Sequence, residues 1–156
     1  MTVHLTEPGL LPPDLMPDPP DTVLQLLVGS INNLSEPIED GSPINLFVKG
    51  ILLSGQIIPD WQWFEEQATD ASSSPEALIA GILKEKRDRS RRLRGRVLDD
   101  LTPEEHEEAL ATPAFIHLKN CRVFMPQPVP SSGDLYWRGR LADISGWSYG
   151  QLIPSP

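Results

Sequence analysis

Leu24, Leu27, Val28, Ile31 and Leu34 recur at intervals of three and four, the spacing that gathers side chains on one helix face. With Asp21 after Pro20 as the N-cap, they predict a helix over about 22–34, ended by the turn-rich SEPIEDGSP. Residues 44–59, INLFVKGILLSGQIIP, switch to period two: Ile44, Leu46 and Val48 alternate with Asn45, Phe47 and Lys49. Gly50 and Gly55 mark turns or bends and Pro59 stops the pairing, so the segment reads as two antiparallel strands or one long strand bent at Gly50. A short helix over about 60–68 carries Trp61 and Phe64 on one side. After DASSSPE, Ser74-Pro75-Glu76 opens a longer helix to about Asp100, its first half amphipathic through Leu78, Ile79, Ile82 and Leu83.

Thr102-Pro103-Glu104-Glu105 starts another short helix: the threonine caps free amides, proline suits the first helical position, and Glu105 can reach back as a capping box. That helix ends near Ala111, before Pro113. FIHLKNCRVFM (115–125) returns to the strand period, with Ile116 and Leu118 against His117 and Lys119, and PQPVPSSGD (126–134) is a proline-broken loop. DLYWRGRLADISGWSYGQLI (134–153) supplies two further strands, in which Gly139 and Gly146 suit a bulge or a tight turn that needs a positive φ. The order predicts an α+β fold: a small, strongly bent antiparallel sheet or Sm-like barrel with an N-terminal helix and a helical insertion at about 60–112.

The first 20 residues fit none of these periods. They hold six prolines, and the reading is a disordered or draped arm (1–20) ahead of one α+β domain (21–153). A solubilising tail and a segment that docks through Leu10, Leu11, Leu15 and Met16 are both open for it. The 156 residues carry a net charge of −9, which argues against general binding to nucleic acid or to anionic membranes. No apolar run approaches the roughly 20 residues that span a bilayer, and the N-terminus lacks the basic start and apolar core of a signal peptide. A single cysteine, Cys121, excludes an intramolecular disulfide and points to a reducing compartment. The expectation is a cytoplasmic protein.

Charge is unevenly distributed. Seven acidic residues precede Lys49, the first basic residue, whereas eight Lys and Arg fall between Lys84 and Arg96. As a helix, 84–96 spreads its charge around the circumference with Leu93 and Val97 as inward anchors. It reads either as a solvated helix balancing the acidic arm, as a site for an acidic partner, or as a nucleic-acid contact. The candidate contact residues on it are Arg89, Arg91, Arg92 and Arg94.

A second candidate surface is the aromatic set Tyr136, Trp137, Trp147 and Tyr149, with Arg138. Such residues serve as core and cross-strand partners or, half-exposed, as interface anchors. Catalytic and metal chemistry has no pattern to rest on. His4, His106 and His117 are far apart, and no zinc, P-loop, dinucleotide, GxSxG or HExxH motif occurs. His117 is expected to face solvent or a neighbouring loop, Cys121 to be structural, and the glutamates at 104–108 to serve their helix dipole. No enzyme, cofactor or metal is expected.

FIHLKN (115–120) and YWRGRLADISGWSYGQL (136–152) resemble the C-terminal signature of the gas vesicle protein U (GvpU) family, an aromatic-Trp-Arg-Gly-basic block before a Gly-aromatic turn and a final Gly. INLFVKGILLSGQIIP resembles that family's paired strand, with its Val-x-Gly and Ser-Gly spacing, followed by a helix that here begins DWQWFEEQ. The resemblance covers about 44–68 and 114–153, leaving out the arm and the basic helix. It implies a non-enzymatic cytoplasmic protein associated with gas vesicles, hollow shells of a small hydrophobic protein. Such a protein would assist vesicle assembly or modulate clustering through contacts with the shell, with other gas vesicle proteins, or with itself. A second resemblance, to ring-forming Sm-like RNA-binding barrels, rests on the N-terminal helix, the glycine-bearing strand pair and Arg138-Gly139. The insert at 60–113 and a tryptophan-bearing helix in place of the Asp-x-Met-Asn uridine pocket depart from that pattern.

Overall fold

The computed structural model describes residues 18–70, 72–96, 98–124 and 135–152. Most of the proline-rich arm, Val97 and the loop 126–134 therefore lie outside the described residues. Helix α1 (Thr22–Asn32) is capped by the Asp21 carboxylate, which accepts from Leu24 N–H at 2.9 Å, and it ends two residues short of the expected Leu34. Strands β1 (Ser42–Val48) and β2 (Ile51–Ile57) form the two-strand alternative, with Val48 paired to Ile51. Lys49 and Gly50, at φ 49° and 80°, make a two-residue turn with both central φ positive, the geometry whose twist matches that of the strands.

Helices α2 (Asp60–Gln67), α3 (Pro75–Arg94) and α4 (Pro103–Leu110) make up the insertion, with a 3-10 turn at Leu98–Asp100. The capping box predicted for α4 is present in both directions. Helix α3 stops at Arg94 rather than near Asp100. Gly95, a poor helix former, sits at its C-cap, and the chain turns there to bring α4 back alongside.

Strands β3 (Phe115–Phe124), β4 (Leu135–Arg140) and β5 (Ile144–Tyr149) complete an antiparallel sheet of order β4-β3-β2-β1-β5. The two edge strands are consecutive in the chain, joined by a single 3-10 turn at Leu141–Asp143. In a flat sheet they would lie four strand spacings, about 19 Å, apart, which three residues rising about 2 Å each cannot bridge. The sheet is therefore strongly bent, so that its edges approach at this corner. Asp143 ties the corner to the β1–β2 turn, 3.9 Å from Lys49 and 2.9 Å from Arg140. The barrel, however, is not closed: β4 and β5 each pair on one side only, because the link between them is a 3-10 turn rather than a hairpin.

The core fills the inside of the bend. Leu24, Val28 and Ile31 of α1 pack on Ile44, Leu46, Leu53, Ile57, Ile116, Leu118, Cys121 and Leu141. A bulge at Asn120, whose φ is 49°, shifts the register of β3 against both neighbours and adds to the bend. Gly55 faces it, where a Cβ would come within 3.2 Å of the Cys121 Cα and the Lys119 carbonyl, so any larger residue requires the strands to give by a few tenths of an ångström.

On the opposite face, α2 lies across the first half of β3. Trp63 Nε1 donates to the Leu118 carbonyl at 3.1 Å, and its ring meets His117 edge-on at 5.5 Å. His117, expected to face solvent or a neighbouring loop, is consequently only 4% exposed beneath a helix, because this strand is covered on both sides.

Candidate functional site

The basic helix is built on α2. The Trp61 ring, buried, has Lys84 and Arg87 over it at 5.2 Å each, and the small Ala80 lets α3 sit close. That contact sets the rotation of α3. Leu93 points inward as expected, whereas Leu78 (67% exposed), Ile79 and Ile82 (55%) face outward. Of the expected apolar face of the first half only Leu83 is half-buried, because the side that docks is chosen by cation–π stacking and a small residue rather than by the largest aliphatics. The exposed trio is an apolar patch that helical periodicity could not distinguish from core.

Most of the cations of α3 are engaged by neighbouring segments. Lys84 meets Glu65 at 2.7 Å, Arg89 meets Glu108 at 2.8 Å and Arg96 meets Glu105 at 3.3 Å. Arg87 bonds Asp88 at 3.0 Å and donates to the Leu34 carbonyl at 3.0 Å. Arg91 donates to Ser35 Oγ at 2.6 Å and to the Asn33 carbonyl. Such exposed contacts contribute about 0–1 kcal/mol each; together they lash α1, α2, α3 and α4 to one another. The arm expected to balance this charge is outside the described residues; α2, α4 and the segment after α1 do the balancing that is seen. Lys86, Arg92 and Arg94 make no salt bridge or hydrogen bond among the described residues.

The sheet candidates fall elsewhere. Trp137, paired with Leu118, is half-buried against the core, with its indole over Gly139: a Cβ at Gly139 would sit 2.2 Å from Trp137 Cη2. Gly139 is structural because the ring fills its side-chain space, not because of a positive φ. Gly146, expected to need one too, does not: a Cβ there would meet only Phe47 at 3.8 Å. Trp147, half-buried on the far edge strand, is edge-on to exposed Tyr149 at 5.2 Å and lies beside Asp21. The Asp21 carboxyl is held below its usual range first by Leu24 N–H and, less, by that indole. The aromatic set thus divides, its tryptophans leaning on the core, Tyr149 mostly outside and Tyr136 partly covered against Trp63.

Arg138 is turned onto its own sheet. Its Nε donates to His117 Nε2 at 3.1 Å and its guanidinium lies 3.6 Å over the Phe115 ring. His117 Nδ1 is buried without a partner, and burial, helped by Arg138, pushes the imidazole pKa down to about 3, so the ring is neutral. Trp63 and Phe64 close around it, and Tyr136 packs edge-on against Trp63. Sequence reasoning missed this cluster, because Trp63 and His117 meet only through the docking of α2. Cys121 is buried and its thiol is pushed up to about 11 by desolvation, the inert form expected of a structural cysteine. Among the described residues no His, Cys, Asp and Glu side chains gather as for a metal ion, and no helix is long and apolar enough to cross a membrane.

The predicted contact residues therefore form separate surfaces: Arg89, Arg91, Arg92 and Arg94 on α3, Trp137 and Arg138 on one sheet edge, and Trp147 on the other. In comparisons with known proteins, the family model described as gas vesicle protein GvpU-like matches residues 21–152. No curated protein and no solved structure matches.

Proposed function

The chain belongs to the gas vesicle protein GvpU-like family, a gas vesicle-associated family, and from that premise we propose that it is a non-enzymatic accessory protein of the cytoplasm. In this reading it assists vesicle assembly or modulates vesicle clustering, through contacts with the shell, with other gas vesicle proteins and with further copies of itself. A proline-rich arm (1–20) precedes one α+β domain (21–153). The family match over most of the chain is the observation that carries the reading. The geometry supports a contact mechanism: Arg92 and Arg94 are exposed cations with no salt bridge among the described residues, on a chain of net charge −9. Arg89 and Arg91, already engaged within the chain, contribute to that surface less directly, and Trp137, Arg138 and Trp147 form the apolar alternative.

Sedimentation of the full chain from 0.05 to 1 M salt, alone and with purified gas vesicles, tests this. Exposed charge contacts weaken as the Debye length shrinks from about 10 Å at 0.1 M to about 3 Å at 1 M. Association should fall with salt and be lost in Arg92→Glu with Arg94→Glu, a pair chosen because neither side chain anchors the fold. Salt-insensitive association that survives in the variant overturns the electrostatic mechanism and assigns the contact to Trp137 and Trp147.

An Sm-like architecture is supported by the N-terminal helix and the bent five-stranded sheet whose edge strands meet through one short turn. The alternative function, RNA binding by an Sm-like oligomer, has less support. Arg138 of the Arg-Gly pair is committed to His117 and Phe115 rather than presented to a base.

A further inference from the structure

A cavity of about 130 Å³ opens between α1, α3 and the segment 111–113, lined among others by Asp60, Lys86, Arg87, Ser90, Arg94 and Thr112. We infer that it binds a doubly charged oxyanion, inorganic phosphate or the phosphate group of a monoester, a ligand beyond the vesicle contacts proposed above. Lys86, Ser90 and Arg94 follow one another at intervals of four, so α3 presents them on one face as a column of donors. None of the three makes a hydrogen bond or a salt bridge among the described residues. Arg87 is held in place by the Leu34 carbonyl and Asp88, so its remaining nitrogen is fixed in advance at little entropic cost. On the far wall the Thr112 hydroxyl accepts from Gln25 Nε2 at 3.3 Å, which leaves its proton free to donate.

The charge and the donors on these walls decide the ligand class. Lys86, Arg87 and Arg94 outnumber Asp60 and the Asp88 carboxylate paired to Arg87, so the walls stay net positive. The donors of Lys86, Ser90, Arg94, Thr112 and the remaining Arg87 nitrogen are more than the two oxygens of a carboxylate can use but suit the several oxygens of a phosphate. Space is ample, since one water needs only about 10–15 Å³ on this measure. Asp60 opposes the anion. Its Oδ1 accepts from Trp61 N–H at 2.7 Å, and burial raises its pKa against the lowering influence of that bond, Lys86 and Arg87. Occupation would join α1, α3 and the segment after α4 through one ion.

Calorimetric titration of the full-length protein at constant ionic strength, with inorganic phosphate, O-phosphoserine and acetate in separate arms, tests the site. Saturable binding of phosphate or phosphoserine, and none of acetate, is expected. Phosphoserine alone binding identifies a monoester as the ligand; phosphate alone identifies the free ion. Arg94→Ala and Lys86→Ala should each weaken binding about tenfold, the range for losing one charge-assisted bond. Asp60→Asn should tighten it, while Arg92→Ala, on the same helix outside the cavity, should leave it unchanged. Thermal melts without added anion identify any variant that has lost its fold, and the Asp60→Asn result stands independently of the weakening ones. Absence of saturable binding, equal binding of acetate, or equal weakening by Arg92→Ala overturns the assignment.

Discussion

Replacing Gly139 by alanine adds one methyl group where the Trp137 indole already lies. The new Cβ would sit 2.2 Å from Trp137 Cη2 and 2.5 Å from Cζ2, whereas carbon atoms pack at about 3.5–4.0 Å. The ring must therefore move by more than about 1 Å or leave the core. Overpacking of this kind costs about 1–3 kcal/mol. Full ejection gives a similar figure: about half of a tryptophan's burial, on the order of 100 Å² at about 25 cal/mol per Å², is about 2.5 kcal/mol. The stiffer unfolded chain returns about 0.4–1 kcal/mol, so the net loss is about 1–2 kcal/mol, or a fall in Tm of about 2–8 °C for a chain of this size. Thermal unfolding followed by tryptophan fluorescence is the assay, with Gly146→Ala as the matched control. At Gly146 the nearest atom to the added Cβ is 3.8 Å away, so its Tm should hold or rise. In Trp137→Ala with Gly139→Ala the clash disappears, and the cycle should show a coupling of about 1 kcal/mol. Equal melting of Gly139→Ala and Gly146→Ala would refute the reasoning.

Two more outcomes follow from buried polar groups. His117, its pKa depressed to about 3 by burial and then by Arg138, stabilises the fold fully above the unfolded value of about 6.5 and progressively less as pH falls below it. The loss should reach about 2 kcal/mol by pH 5, and denaturant midpoints across that range should be flatter in His117→Gln; parallel curves would mean the imidazole is not desolvated. Gln62, buried, accepts from Ile38 N–H at 2.8 Å and donates to its carbonyl at 2.6 Å. Gln62→Leu strands the Ile38 N–H and leaves its carbonyl only the Lys119 Nζ donor at 3.3 Å, which should cost about 1–3 kcal/mol in urea unfolding, while a neutral result would show that the loop before β1 satisfies itself.

The candidate surfaces were legible as residues but not as places. Eight cations between Lys84 and Arg96 are plain in the sequence. Which of them stay available depended on Glu65, Glu108 and the Asn33–Ser35 segment, brought alongside by helix packing. The same packing produced the cavity beside Asp60, whose walls come from four separate stretches of chain.

Local chemistry is what the sequence by itself determined. Asp21, Ser74 and Thr102 cap their helices because a side-chain oxygen beside free amides needs no tertiary partner. Ile44, Leu46, Ile116 and Leu118 reached the core because strand alternation sorts faces before the strands meet. Tertiary structure decided whatever depends on the second face of an element. Period two assigns His117 to the side away from Ile116, yet only the arrival of α2 makes that side an interior. Period 3.6 groups Leu78, Ile79 and Ile82, yet the stacking of Lys84 and Arg87 on Trp61 turns them outward. A periodicity reports that two faces differ; which of them is buried is set by the surface that docks, and that surface comes from residues distant in the chain.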